Sequence, residues 1–160
     1  EGFREKIQDF ADACNYAYET YGLTPLLYAM EPRRDEAANA AVVEKLRCPF
    51  VQLSAGRDGR QALALVKQME AVVSMRLHSL IFAAGQGVPV VGVVYDPKVS
   101  GFLDYLGQKL YLSLEKVTAQ DLKSLIDQAL SQKNADEAAI QRLRSLAEEN
   151  PRLAKELLES

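Results

Sequence analysis

Two short segments of this 160-residue chain hold the residue types best suited to chemistry, Met75-Arg76-Leu77-His78 and Tyr95-Asp96-Pro97-Lys98. The first contains the only histidine in the sequence. An imidazole exchanges protons near neutral pH, so it can act as a general acid or base. A guanidinium two residues before it and an ammonium further along suit an anion such as a phosphate or carboxylate. His78 and Lys98 are therefore the candidate catalytic pair, with Arg76, Ser79 and Tyr95 as candidate binding residues. Plainer readings stand beside these. A lone histidine near a helix start often makes one structural hydrogen bond, and a lysine after a turn is usually solvated. Gln86 is a weaker candidate, as are Arg33, Arg34, Arg57 and Asp58, which follow the first two expected strands. Asp96 and Asp35 read best as helix caps.

Both segments need a scaffold that brings them together. Ala71-Val72-Val73 and the run from Val88 to Tyr95 are short, β-branched and bounded by breakers, which predicts buried strands. Between them, Leu77 to Ala84 is rich in helix formers and is followed by Gly85 and Gly87, where a helix would stop. Such a crossover requires parallel strands, and open parallel sheets bind ligands outside the carboxyl ends of their strands. Arg76, His78 and Lys98 fall at those ends.

The rest of the chain continues the alternation. Upstream, the spacing predicts a helix over 2–21 ended by Gly22, with Phe3, Ile7, Phe10, Cys14, Ala17 and Tyr21 on its apolar face. A strand over 24–30 follows, then a helix over 35–46 that turns Ala37, Ala41, Val42 and Leu46 inward, and a strand over 49–53. A loop over 54–59 leads to a helix over 60–69. Downstream come a helix over 99–106 stopped by Gly107, an edge strand over 109–114, and a helix over 119–131 opened by the capping pair Thr118 and Asp121. A terminal helix begins near Asn134 and kinks or restarts at Pro151. Five strands alternating with helices predict an α/β fold, a Rossmann-like parallel sheet flanked by helices and forming one domain over 1–160. Neither the dinucleotide-binding glycine fingerprint nor a Walker A loop is present.

Composition bounds the function. Hydrophobic residues make up 48% and charged residues 26%, an ordinary globular balance, and the net charge of −3 argues against a nucleic-acid partner. No apolar run approaches the roughly 20 residues of a membrane span. Cys14 and Cys48 fit no metal or redox spacing and read as buried thiols in a cytoplasmic protein. The start at Glu1 suggests a piece of a longer chain.

At Met75-Arg76-Leu77-His78-Ser79-Leu80-Ile81-Phe82-Ala83-Ala84 the chain resembles the polysaccharide pyruvyl transferase family. Gly87-Val88-Pro89 and Tyr95-Asp96-Pro97-Lys98-Val99 continue the likeness in order and spacing, which is closest to the CsaB-like cell-wall branch. The resemblance implies the carboxyl-terminal half of a two-domain GT-B-like enzyme, preceded by an amino-terminal half of roughly 150–200 residues. It implies transfer of pyruvate from phosphoenolpyruvate onto a cell-wall polysaccharide sugar, often lipid-linked, as a cyclic ketal. The family's active histidine and lysine map onto His78 and Lys98. No metal and no cofactor beyond the phosphoenolpyruvate donor are implied. The expected location is cytoplasmic, peripheral at the inner face of the membrane where the acceptor is lipid-linked. The 160-residue piece alone is expected to fold but to be inactive, since its cleft has one wall. Two other readings stay open: half of another GT-B-like enzyme, such as a nucleotide-sugar glycosyltransferase or epimerase, and a non-catalytic binding module.

Overall fold

The computed structural model describes residues 6–53 and 59–132, together with 138, 141, 144 and 145. Its elements alternate as α1 (Ile7–Tyr21), β1 (Leu26–Tyr28), α2 (Pro32–Val43), β2 (Val51–Leu53), α3 (Gly59–Val66), β3 (Val72–Ser74), α4 (Leu77–Gly85), β4 (Val90–Val94), α5 (Pro97–Tyr105), β5 (Tyr111–Ser113) and α6 (Ala119–Ser131). Local chemistry explains most boundaries. Gly22 ends α1 in the left-handed region at φ 68°, where a side chain would be strained. Asp96 caps α5 by accepting the Lys98 N–H, with Pro97 in the first turn. Thr118 and Asp121 form a reciprocal capping box on α6. The residues expected in a terminal helix are described only at 138, 141, 144 and 145, which are helical. The Pro151 region lies outside the described residues, as do Arg57 and Asp58.

All three strand pairings are parallel, as the alternation predicts, and the fold is Rossmann-like α/β. The strands are nevertheless hydrogen-bonded in two sheets rather than one: β1 with β2, and β3-β4-β5 with β4 in the centre. β5 is the edge strand expected there. The larger sheet is covered on both faces, and β4 shows how. Val90 points to the cluster formed with α4 and α5 through Leu80, Val99 and Leu103, while Val91 and Val93 meet the α6 residues Leu125, Leu122 and Ile126. Gly92 lies on the α5 face, where a Cβ would collide with Leu103 Cδ1 and come within 3.1 Å of Tyr111 Cβ.

Helix α1 joins the two sheets. Ala11 packs with Leu27 and Val42 over β1, Ala13 packs with Val93, Leu122 and Ile126, and Phe10 lies against both clusters. Burial from two sides widens its inward face: Ile7 and Phe10 pack on the core as expected, Ala11, Ala13 and Asn15 are buried as well, Tyr21 is exposed, and Phe3 lies outside the described residues. Asn15 accepts the Arg47 N–H at 2.8 Å, which anchors the chain just before β2. Helix α2 begins three residues earlier than expected, because Pro32 fits its first turn and the Asp35 carboxylate reaches back to the Glu31 N–H at 2.8 Å. Asp35 is thus not the N-cap; Glu31 is. Of the residues expected to turn inward, Val42 is buried whereas Ala37 is exposed. Cys14 and Cys48 are half-buried rather than buried, and burial pushes the Cys14 thiol up to about 12.

Candidate active site

The register of the central pair sets the site. β3 and β4 run parallel with Ser74 opposite Gly92, so the residues after each strand leave the same carboxyl edge. Ser74 Oγ accepts the Arg76 N–H at 2.9 Å and turns the chain sharply into α4. Arg76 is the N-cap of α4 in an extended conformation, and no side chain caps the helix. His78 stands exposed in that helix's first turn. The uncapped N–H groups there favour negative charge.

From β4, Tyr95 emerges exposed, and Lys98 stands in the first turn of α5. The Lys98 ammonium is 3.4 Å from Asp96 Oδ2 and lies 5.9 Å from the centre of the Tyr95 ring. Hydrogen bonding from the Lys98 N–H, more than the ammonium charge, holds the Asp96 carboxyl below its ordinary value. His78 and Lys98 thus occupy the first turns of two helices that follow adjacent parallel strands.

A cleft of about 1120 Å³ opens between the two sheets. Its floor is apolar, with Phe10, Leu27, Val42, Val73 and Leu122 among the walls. Its polar end is made by Arg34, Asp35, Ser74, Arg76, Ser79 and Tyr95. The three expected binding residues, Arg76, Ser79 and Tyr95, therefore share one cleft. His78 and Lys98 stand on the same sheet edge but are not among the residues lining it. Gln86 is the C-cap of α4, at the far end of the helix from this edge, and has no place in the site.

Arg76 does not reach freely into solution. Asp35 Oδ1 accepts from both Nε (3.0 Å) and Nη2, and Nη1 lies 3.1 Å from Glu31 Oε2. Hydrogen bonding to Asp35 raises the Arg76 pKa despite partial burial, so the guanidinium stays charged. Arg34 in turn pairs with Glu31 at 3.4 Å. Asp35 and Glu31 belong to α2 and its N-cap, and their contact with Arg76 lies 41 positions away in the chain for Asp35. No local motif announces such a pairing. Among the described residues no group of three or more histidine, cysteine, aspartate or glutamate side chains could hold a metal ion, and no helix is long and apolar enough to cross a membrane.

Open parallel α/β sheets take their ligands at the carboxyl edge of the strands, and here the strand-to-helix turns at that edge carry a histidine, an arginine and a lysine. The chain belongs to the polysaccharide pyruvyl transferase family, whose profile matches residues 4–97. The matched segment includes Arg76 and His78 and ends one residue before Lys98. No curated protein and no solved structure shows a significant match.

Proposed function

We propose that this chain is the carboxyl-terminal, GT-B-like half of a pyruvyltransferase that moves pyruvate from phosphoenolpyruvate onto a cell-wall polysaccharide sugar as a cyclic ketal. The observation that carries the reading is the shared carboxyl edge of β3 and β4, from which the Arg76–His78 and Asp96–Lys98 turns leave side by side in a chain of this family.

The chemistry suits those groups. His78 as imidazolium protonates the methylene carbon of phosphoenolpyruvate, which leaves an oxocarbenium-like centre at the neighbouring carbon. A sugar hydroxyl adds there and gives up its proton to the imidazole. The carbon–oxygen bond to phosphate then breaks, and the second hydroxyl closes the ring as its proton leaves with the phosphate. Lys98 and Arg76 hold the donor's phosphate and carboxylate and offset charge as phosphate departs. Ser79 and Tyr95, facing the cleft, orient the donor or the sugar. The amino-terminal half of the same polypeptide supplies the opposite wall. A lipid-linked acceptor would bring the enzyme to the inner face of the membrane.

The test is to incubate the full-length protein with phosphoenolpyruvate and candidate saccharide acceptors while following released phosphate and ketal formation. Acceptor-dependent phosphate release with a pyruvylated product supports the reading. Thermal protection by a uridine-diphosphate sugar, where phosphoenolpyruvate gives none, would point instead to a nucleotide-sugar enzyme.

A further inference from the structure

Arg76 is held by two carboxylates that differ in kind. The Asp35 side chain is only 14% exposed, and both its oxygens are engaged, Oδ1 with the Arg76 guanidinium and Oδ2 with the Glu31 N–H at 2.8 Å. It therefore fastens the start of α2, which follows β1, to the start of α4, which follows β3, across the gap between the two sheets. Glu31 is 54% exposed, reaches Nη1 from the rim and shares its carboxylate with Arg34. A guanidinium has five N–H groups in a fixed plane. Asp35 takes Nε and one Nη2 hydrogen, and Glu31 makes an ion-pair contact with Nη1, so outer N–H groups on both terminal nitrogens have no hydrogen-bond acceptor among the described residues.

We infer that Asp35 is a positioning residue: its carboxylate fixes the plane of the Arg76 guanidinium so that the outer N–H groups present a preset site to the donor anion. Glu31 is the exchangeable partner, occupying an outer position that the anion takes over. The inference rests on the proposed reading for the identity of the anion, phosphoenolpyruvate, and deepens it by naming the residue that sets the binding geometry.

The two carboxylates give opposite expectations, which separates positioning from bulk electrostatics. Removing either negative charge makes the site more positive, so simple Coulomb attraction would tighten anion binding in both variants. Positioning predicts that Asp35→Asn raises the KM for phosphoenolpyruvate by about tenfold or more, because a misplaced binding group loses its geometric advantage. It predicts that Asp35→Glu recovers part of that loss. Glu31→Gln, in contrast, should lower the KM by roughly threefold, the scale of one exposed ion pair. Calorimetric binding of inorganic phosphate to the full-length wild type and the same variants gives a readout independent of turnover, and circular dichroism shows whether each is folded. If Asp35→Asn binds both anions as tightly as the wild type or more tightly, the inference falls while the pyruvyl-transfer reading stands. If the wild type binds phosphate but makes no ketal, that reading falls, and the order of the phosphate affinities decides on Asp35. If Asp35→Asn fails to fold, the Asp35→Glu affinity decides, and an unchanged value sinks the idea. A wild type that binds neither anion overturns both.

Discussion

His78 and Arg76 sit two residues apart, yet the fold holds them very differently. Arg76 is tied to Asp35 and Glu31, whereas His78 is exposed in the first turn of α4. Exposure makes His78 a clean target for mutation, since substitutions at such positions shift stability by less than about 0.5 kcal/mol. His78→Ala should lower kcat for ketal formation by about 10²- to 10⁴-fold, the usual contribution of a general acid. The melting temperature should stay within experimental error of the wild type. Turnover at the wild-type rate would remove the imidazole from the mechanism and favour a non-catalytic role for this edge. Lys98→Ala should act on binding, raising the donor KM by about tenfold as one charge-assisted contact is lost, and steady-state kinetics at varied phosphoenolpyruvate would show it. At this scale the sequence was most informative where chemistry is local. His78 and Lys98 lie just beyond strand-ending breakers, so their edge could be inferred without coordinates. The Asp35–Arg76 contact could not, because an ion pair between residues 41 positions apart leaves no periodic trace.

Helix ends show the same division between local and distant causes. Asp96, Thr118 with Asp121, Gly22 and Gly107 all terminate or start helices where their residue types say they should, because a cap is made within four residues. The inward face of α1 is wider than its stripe suggests, because α2 and α6 bury it from two directions and add Ala11 and Ala13 to Ile7 and Phe10. One of those contacts is polar. Asp127 on α6 accepts hydrogen bonds from Tyr16 and Tyr21 at 2.9 and 2.7 Å, and its hydrogen bond and charge push the Tyr21 hydroxyl up from its ordinary value near 10 to about 12. A raised pKa in the folded state means the contact stabilises fully below pH ~10 and is lost as pH climbs towards 12. Chemical denaturation between pH 9 and about 12 should therefore show an alkaline loss of stability that is smaller in Tyr21→Phe, which has no proton to lose. Equal pH slopes in the two proteins would show that the α1–α6 contact does not govern this range. Packing of α5 on β4 is equally specific. Gly92→Ala would drive a Cβ into Leu103 and against Tyr111, so a destabilisation of about 1–3 kcal/mol is expected from urea melts, without loss of secondary structure. A neutral result would mean that Leu103 moves aside freely.

For the molecule as a whole, the alternation of strands and helices specifies parallel pairing but not which edges meet, since each pairing depends on contacts distant in sequence. That is why the Rossmann-like α/β class was legible and the division into two sheets was not. The division has a thermodynamic consequence. β4 is paired on both sides and buried on both faces, with Val91 and Val93 fully inaccessible, whereas β2 among the described residues is paired only with β1 and exposes Val51. Between them α1 supplies apolar contact, and the Arg76–Asp35 bond supplies a polar one at the carboxyl edge. Local opening free energy follows burial and pairing, so the β1–β2 unit should open without unfolding β3–β5. Hydrogen exchange followed by mass spectrometry should find the slowest amides in Val91 to Val94 and markedly faster exchange in Val51 to Leu53. Asp35→Asn should accelerate exchange in β1, β2 and the first turn of α2 more than in β4. If Arg76 takes the proposed anion, added phosphoenolpyruvate should slow that same set, because Arg76 is bonded to Asp35 across the gap between the sheets. Uniform protection across all five strands, unchanged by the Asp35 substitution, would show that the sheets behave as one layer and that the cleft between them opens only with the whole fold.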